Sequence, residues 1–454
     1  MTTRMTPSAD EIDRQYDRMK ADPTFAALMI EIASMIKPPA LGCTIDEAES
    51  EVRSMTDSIG HACLEAWCQS TADRRTGQIL AAGSSRTHEK KKLVILTTFG
   101  PLNIEEQGLL RDGPRLRPFC EETGLANNAP TTALRRLVAH ACLFSSFAET
   151  SSFMREQHRL DIPTSACRTI FLKAAARAQQ LQHQMQQALE QATNRPREES
   201  AAVDDLIAEA DGVMVPIVDT QAAPEKTAFA SDRRGHRVVC WKEAKTAAIG
   251  RVSTGQWHYA ASFGDGESLL KGSSLAAAAA EYQAGCEVQV IADGALWIQE
   301  WAEGVFGTDA HQTVDLYHLL EYAAAAGQEM DTRSTSSEET LCEMCRSGRA
   351  EEAAAELKRS LHYDANRPES AVFKFVRYVE NRPGQFDYPR LRERKMPVGS
   401  GKIESTNRQL IQKRLKLPGA WWLPRSVGLA LHLLVTWYNR QWDSLWTASP
   451  QLAA

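Results

Sequence analysis

The sequence contains two aspartates, each followed by glycine, whose surroundings favour the binding of a divalent metal ion. Asp211 stands in ADGVMVP and Asp293 in VQVIADG, and both segments are typical of strands. Two carboxylates placed side by side repel one another, and both stay ionised only with a divalent cation between them. Carboxylate oxygens are ligands that Mg²⁺ prefers, so the pair predicts a magnesium site. The alternative for each residue alone is an ordinary turn aspartate before glycine.

A third acid is needed to complete two metal sites, and Glu404 in MPVGSGKIESTNRQLIQKRLK is the best candidate. Ser400 is a residue type favoured at helix N-caps, so Glu404 is expected in the first turns of a helix with Asn407 on its face. The backbone amides of residues 399–401 would then form a terminus that favours anions. The alternative is a surface ion pair between Glu404 and Arg408, worth about 0.2–0.5 kcal/mol.

Positive charge is concentrated around Glu404. Residues 370–425 hold thirteen Lys or Arg and four acidic residues, whereas the whole chain has a net charge of −6. This stretch is a candidate electrostatic footprint for a phosphate backbone, and a solvated basic face is the alternative. The residues expected to bind DNA are Arg390, Arg392, Arg394, Lys395, Lys402, Arg408, Lys413, Arg414 and Lys416.

The elements that must position these acids lie between residues 203 and 320. Three strand-like segments are followed by an alanine-rich helix, a short buried strand, a short helix, and a strand that leads into another helix. This is the order of an RNase H-like core, an α/β fold with a mixed sheet flanked by helices. Because the first and fourth strands are neighbours in such a sheet, Asp211 and Asp293 are expected to meet at one edge.

The regions outside this core are predicted to be mostly helical. Helices are expected at 8–37, 44–74 and 130–192. At the start of the second helix, Thr44 and Glu47 have the spacing of a capping box. The aromatic tail of the chain is expected to pack against the core in preference to stacking on bases. A hairpin is predicted at 91–104.

Four regions follow from these patterns. They are a helical N-terminal region at 1–90, a hairpin with helices and a candidate DNA-binding helix-turn-helix at 91–200, the catalytic core at 201–320 and 396–446, and a helical insertion at 321–395 before the last catalytic helix.

Composition excludes several classes of protein. The chain has 454 residues, of which 43% are hydrophobic and 24% charged, as in an ordinary globular protein. No run of eighteen apolar residues occurs, so membrane insertion is not expected. The N-terminus lacks the apolar stretch of a signal peptide, and the ten cysteines are therefore expected to be thiols in a reducing cytoplasm.

Several motifs of the second half of the chain occur together in a specific order. They are DGVMVP at 211–216, WKEAK at 241–245, IADGALW at 291–297, DLYHLL at 315–320 and MPVGSGKIES at 396–405, followed by a tryptophan-rich tail. In this order the motifs resemble those of bacterial insertion-sequence transposases of the DDE type, specifically the ISKra-type group. The resemblance covers residues 200–446.

This resemblance implies a DNA transposase that cuts at insertion-sequence ends and joins them to target DNA. Asp211, Asp293 and Glu404 would be its catalytic residues and the ligands of two Mg²⁺ ions about 3.5–4 Å apart, which Mn²⁺ can replace. Asp315 and His318 match an accessory D-x-x-H element. The implied partners are double-stranded DNA, as transposon ends and as target, and further copies of the chain in a homo-oligomer in the bacterial cytoplasm, associated with the nucleoid when bound to DNA.

Two alternatives stay open beside this interpretation. An RNase H-like nuclease would cut without strand transfer, and a catalytically inactive descendant would only bind DNA. The chain also departs from the family pattern, because relatives carry cysteine pairs near the N-terminal hairpin and residues 91–104 contain none. The only C-x-x-C is Cys342 with Cys345, and without a second pair it is weak evidence for zinc.

Overall fold

The structure is a computed structural model, and the chain in it divides into two compact units. The described residues are 26, 27, 30, 44–83, 85–111, 115–193, 205–219, 238–264, 266–330 and 336–447. The first unit comprises Met1–Val138, Ala148–Thr164 and Ser449–Ala454, and the second comprises Ala139–Phe147 and Ser165–Ala448. The fold is mixed α/β with two mixed sheets. None of the helices in the described part of the chain combines the length and the apolar composition that a bilayer crossing requires.

A long helix and a hairpin form the first unit. Helix α1 (Ile45–Ala81) starts with the capping box that the sequence predicts, in which Thr44 and Glu47 each bind the other's backbone N–H. Strands β1 (Ser85–Thr97) and β2 (Gly100–Arg111) pair antiparallel, so the predicted hairpin is confirmed and is longer than expected. Most of the helix expected at 8–37 lies outside the described residues.

Two short strands complete the sheet of this unit. They are β3 (Arg115–Leu116) and β4 (Ala129–Pro130), and the sheet has the order β3-β2-β1-β4. Helix α2 (Pro118–Thr123) lies between them in the chain. The buried apolar core of this unit contains Cys68, Ala72, Leu93, Ile95, Leu102, Ile104 and Phe119.

Three helices follow along the chain. They are α3 (Thr132–Phe144), α4 (Phe147–His158) and α5 (Thr164–Thr193). The helical prediction for residues 130–192 is therefore confirmed, with a break at 159–163 where the sequence has RLDIP.

A five-stranded sheet is the centre of the second unit. Its strands are β5 (Leu206–Asp219), β6 (Val238–Arg251), β7 (Trp257–Phe263), β8 (Val288–Ala292) and β9 (Ala310–Val314). The order is β7-β6-β5-β8-β9, with antiparallel pairs among the first three strands and parallel pairs from β5 to β8 to β9. The predicted alternation of strands and helices is confirmed, as is the pairing of the first and fourth strands.

Strand β5 presents different residues to the two faces of this sheet, because side chains alternate along a strand. On one face Leu206, Ala208 and Ala210 join the apolar core with residues of helices α6 (Gly266–Ala279) and α7 (Leu296–Phe306). A 3₁₀ turn (Gly307–Asp309) follows α7. On the other face lie residues 207, 209 and 211, so two acids of β5 share the face opposite this core.

Five helices occupy the chain after β9. They are α8 (Leu316–Met330), α9 (Ser336–Arg346), α10 (Ala350–Arg359), α11 (Ala371–Glu380) and α12 (Tyr388–Glu393). They enclose an apolar core of their own, in which Phe375 and Tyr388 are fully buried.

The last part of the chain is helical. Helix α13 (Gly401–Thr406), a π-helix (Asn407–Gln412) and α14 (Lys413–Leu415) run on from one another and are called the 401–415 helix below. Helices α15 (Pro424–Tyr438) and α16 (Trp442–Thr447) follow. Leu433 and Trp442 are buried, so the prediction that the tail packs against the core is confirmed.

Candidate active site

Asp211 lies within β5, and Asp293 directly follows β8, the parallel neighbour of β5. The pairing of β5 with β8 extends to Glu209 and Ile291, so Asp211 and Asp293 each come two residues beyond it. Burial raises the pKa of Asp211 above its ordinary value, and the charge of Asp293 raises it further. The two carboxylates therefore interact just beyond the paired part of β5 and β8, and the expectation that they lie near one another agrees with this.

Both oxygens of Asp211 accept hydrogen bonds. Oδ1 accepts from the N–H of Gly212 at 2.7 Å, and Oδ2 accepts from Nδ2 of Asn407 at 2.7 Å. The carbonyl oxygen of the Asn407 side chain in turn accepts from Oγ1 of Thr246 at 2.5 Å. Asn407 is buried, so Thr246 fixes which end of its amide faces Asp211. These hydrogen bonds favour the ionised form of Asp211 against the effect of burial.

The turn that carries Asp293 is held by the helices that follow β9. Tyr378 of α11 donates its hydroxyl to the Asp293 carbonyl at 2.7 Å, and Nε of Arg382 donates to the Gly294 carbonyl at 3.0 Å. Gly294 has φ +79°, and a Cβ there would stand 2.0 Å from Nε of Arg382. The glycine of this Asp-Gly pair is thus needed both for its backbone conformation and for the close approach of Arg382.

Asp315 and His318 have different surroundings at this end of the sheet. His318 is half-buried and lies near enough to Asp211 for its positive charge to lower the pKa of that carboxyl. Asp315 is buried, and its Oδ1 accepts from the N–H groups of Tyr317 and His318 at the start of α8. Its Oδ2 accepts from both the N–H and the hydroxyl of Ser400, at 2.6 and 2.5 Å. Asp315 therefore joins α8 to the start of the 401–415 helix.

The start of the 401–415 helix differs from the sequence prediction. Ser400 occupies the N-cap position, but its hydroxyl binds Asp315 and makes no capping hydrogen bond. The capping acceptor is Glu209 of β5, whose Oε2 accepts from the N–H of Ile403 at 2.7 Å. Of the three amides expected to attract a phosphate, that of Ser400 binds Asp315, and Glu209 binds the amide of Ile403 further along the same terminus.

Glu209 is the acid of the site that sequence reasoning missed. It is 1% exposed, and burial raises its pKa to about 8, with a further rise from the charge of Asp315. Backbone hydrogen bonds from Ile403 and Lys402 oppose that rise. Its position two residues before Asp211, on the same face of a predicted strand, is the signal that could have revealed it.

Glu404 is exposed and lies one helical turn before Asn407. Residues three apart on a helix are neighbours on one face, so Glu404 stands beside the side chain that binds Asp211. In the part of the chain that the structure describes, no three His, Cys, Asp or Glu side chains converge as a group that could hold a metal ion. The structure thus brings Asp211 and Asp293 together and leaves Glu404 at the margin of the pair.

The donor chemistry of the Asp211 and Asp293 pair fits one magnesium ion. Mg²⁺ keeps several waters and is usually held by one or two carboxylates plus substrate phosphates. Two neighbouring carboxylates meet that requirement without a third protein ligand. A site of three carboxylates that includes Glu404, and a second Mg²⁺ ion, stay predictions.

Eight of the nine basic residues expected to bind DNA have three kinds of surroundings. Arg392, Lys395, Arg408 and Lys413 are exposed. Arg390 and Arg394 form ion pairs with Glu287, and Lys402 and Lys416 are half-buried beside Trp257 and Trp241 respectively.

The prediction that Arg414 binds DNA is wrong. Its side chain is 1% exposed, its Nε donates to the Cys142 carbonyl at 2.6 Å, and its guanidinium packs against the rings of Phe147, Phe171 and Trp422. A guanidinium enclosed in this way stabilises the fold through hydrogen bonding and ring contacts, and it cannot reach a phosphate.

The C-x-x-C cysteines lie on α9. Cys342 and Cys345 are both buried in the apolar core of the helices after β9. Burial raises the pKa of Cys345 to about 12 and also raises that of Cys342. Because the thiolate is the metal-binding form, these surroundings favour two structural thiols.

No protein-family model matches the chain, and no curated protein is similar to it in sequence.

Proposed function

We propose that the chain is a DNA transposase that uses Mg²⁺ to cut at insertion-sequence ends and to join those ends to target DNA. One observation carries the proposal. Asp211 lies on β5 and Asp293 directly follows the adjacent parallel strand β8, each two residues beyond the last residues paired between these strands, and Asn407 ties the helix that bears Glu404 to Asp211. Carboxylates gathered in this way are typical of metal-dependent phosphoryl transfer.

The order of the sheet supports the same proposal. Strands β7, β6 and β5 are antiparallel neighbours, and β8 and β9 follow in parallel on the other side of β5. This is the order expected of an RNase H-like core, in which the first and fourth strands carry acids at adjacent ends. The resemblance of the motifs at 211–216, 291–297 and 396–405 to DDE transposases points to the same core.

Asp211, Asp293 and Glu404 would hold the metal. Neighbouring groups orient Asp211. When bound, Mg²⁺ supplies Lewis acidity, which lowers the pKa of a water or of a DNA 3′-hydroxyl and stabilises the leaving oxygen. Asn407 and the N–H of Gly212 orient Asp211 and favour its ionised form. Exposed cations such as Arg408 and Lys413 would hold the phosphate backbone.

The proposed reaction consists of two successive substitutions at phosphorus. In the first, a water oxygen attacks the phosphate at the element end, the bond from phosphorus to the 3′ oxygen breaks, and that oxygen leaves as a 3′-hydroxyl after taking up a proton. In the second, this hydroxyl loses its proton and attacks a target phosphate, which releases a 3′ oxygen of the target strand. Neither step needs a covalent bond to the protein. The proposed partners are double-stranded DNA and further copies of the chain in a homo-oligomer.

The proposal is tested with the full-length protein and labelled DNA that carries the sequences flanking the gene. With Mg²⁺ and a plasmid target, the protein should nick the labelled end and join it to the plasmid. Asp211→Asn and Glu404→Gln should each lower both products by about a thousandfold or more, since several kcal/mol of charge stabilisation are lost. Glu267→Gln, which removes an exposed carboxylate on α6, is the matched control and should retain full activity.

Normal cutting by either variant, with DNA binding intact, would refute the site. Nicking without joining would instead indicate the RNase H-like nuclease.

A second candidate function is DNA binding without catalysis. The exposed position of Glu404, and the absence of a three-ligand group among the described residues, favour it. Titration with Mn²⁺, followed by electron paramagnetic resonance, separates the two. An inactive descendant would bind DNA and leave all Mn²⁺ free.

A further inference from the structure

Three carboxylates of the five-stranded sheet region each hold one point of the 401–415 helix. Asp315, directly after β9, binds the N–H and hydroxyl of Ser400. Glu209 of β5 binds the N–H of Ile403, and Asp211 of the same strand binds the side chain of Asn407. The three contacts span two turns of the helix, so both its axial position and its rotation are determined by contacts with the sheet region.

Glu404 lies between the second and third of these contacts. It follows Ile403 directly and precedes Asn407 by one turn, and its own side chain is exposed. Its position relative to Asp211 is therefore determined by what holds its neighbours. Of the three carboxylates, Glu209 is the one next to Glu404 along the helix.

We propose that Glu209 is a positioning residue for Glu404. By accepting from the backbone of Ile403, it would keep the helix at the height and rotation that let Glu404 join Asp211 and Asp293. This inference rests on the proposed function, because that function gives Glu404 its role as a metal ligand. The contact between Glu209 and the helix does not depend on it.

A purely structural role is the competing explanation, and the burial of Glu209 makes it a serious one. A fully buried carboxylate that loses its donors destabilises a protein, and so does a helix N–H that loses its acceptor. Stability alone cannot separate the two roles. The separation needs a variant that keeps an acceptor at residue 209 and a control of similar burial elsewhere in the sheet.

Glu209→Gln and Glu209→Ala form the test pair. Glutamine retains one oxygen that can accept from Ile403, and alanine retains none. Gln289→Ala is the matched control, because Gln289 of β8 is also 1% exposed and its amide binds Thr313 and the His311 carbonyl, away from the 401–415 helix.

The first measurement is hydrogen exchange of the intact protein, followed by mass spectrometry. Glu209→Ala should accelerate exchange in peptides that cover residues 400–407 by about tenfold or more, because the acceptor of Ile403 is lost. Exchange in β8 should be unchanged. Glu209→Gln should exchange as the wild type does, and Gln289→Ala should accelerate only peptides of β8 and β9.

The second measurement is steady-state cleavage of the labelled DNA end. Glu209→Ala should lower kcat by about 10- to 100-fold, the usual loss when a side chain that supports a metal ligand is removed. KM for DNA should stay within about threefold of the wild type, because the exposed basic residues are untouched. Glu209→Gln should restore most of kcat, and Gln289→Ala should retain it at a similar loss of Tm.

The inference is overturned if Glu209→Ala leaves exchange at 400–407 unchanged, or if Gln289→Ala lowers kcat as much at the same Tm. A wild type that does not cut DNA would defeat the proposed function instead, and the exchange measurement would still decide whether Glu209 holds the helix.

Discussion

Asn407 is the side chain through which the 401–415 helix contacts Asp211. Its Nδ2 donates to Asp211, and its Oδ1 accepts from Thr246. Asn407→Ala removes both hydrogen bonds and leaves one oxygen of Asp211 without this donor. We expect cleavage activity to fall by about 10- to 100-fold and the pKa of Asp211 to rise further. Cleavage rates measured across pH 5–8 check both effects.

Gln409→Ala is the control for this substitution, because Gln409 is an exposed residue of the same helix. A rate for Asn407→Ala equal to that of Gln409→Ala would contradict the role given to Asn407.

The roles of some residues could be predicted from the sequence, and those of others could not. Asp211 and Asp293 were predicted because an acid within or directly after an apolar strand is conspicuous, and in the structure the charge of Asp293 raises the pKa of Asp211. Glu209 was missed because one polar residue within a strand also fits an alternating pattern. The burial of Arg414 could not be predicted, since its ring partners Phe147, Phe171 and Trp422 come from distant parts of the sequence.

At the scale of elements, the 401–415 helix carries both exposed and enclosed cations. Lys413 is exposed, whereas the neighbouring Arg414 is enclosed. Lys413→Ala should reduce the slope of log K against log salt by about 1, because one fewer phosphate contact releases counterions. Fluorescence anisotropy of labelled duplex DNA at several salt concentrations measures this slope.

Lys374→Ala supplies the comparison for Lys413, because Lys374 is an exposed lysine of α11 that is not among the expected DNA contacts. Equal slopes for both variants would show that Lys413 makes no phosphate contact.

Helix α15 contains a histidine that we expect to make the free energy of unfolding depend on pH. His432 donates from Nδ1 to Oε1 of Gln182 on α5 at 2.6 Å, and burial lowers the pKa of His432. The unfolded chain therefore takes up this proton at a higher pH than the folded chain, so the contribution to stability is present above about pH 6.5 and is lost as the pH falls. His432→Gln should make the free energy of unfolding fall less between pH 7 and pH 5.

Urea unfolding at several pH values provides the measurement, and His362→Gln, at an exposed position, is the control. The account of His432 fails if His432→Gln and the wild type lose the same free energy over this range.

Elements were more predictable than the contacts between them. The capping box of α1, the hairpin, and the alternation of strands and helices from residue 206 to residue 330 follow from local patterns of apolar and capping residues. The π-helix at Asn407–Gln412 does not, because a hydrophobic period near 3.6 does not distinguish it from an α-helix. Nor could the local pattern show that Glu209 caps the 401–415 helix, since the two are far apart in sequence.

On the scale of the whole molecule, the distribution of charge agrees with a DNA-binding role. The net charge of −6 is unfavourable for a polyanion, yet residues 370–425 are strongly basic and include exposed cations on the 401–415 helix. Local charge governs the approach of DNA, and such binding weakens steeply with salt. The central claim is more demanding, because it requires acids from β5, the end of β8 and the 401–415 helix to share metal.

Iron-directed cleavage of the intact protein tests this claim most directly. Fe²⁺ bound in place of Mg²⁺, with ascorbate and peroxide, produces hydroxyl radicals that cut the backbone near the ligands. We predict fragments that end near residues 211, 293 and 404, all suppressed by excess Mg²⁺ and by Asp211→Asn. Fragments near 211 and 293 without any near 404, or no specific fragments at all, would contradict the three-carboxylate site.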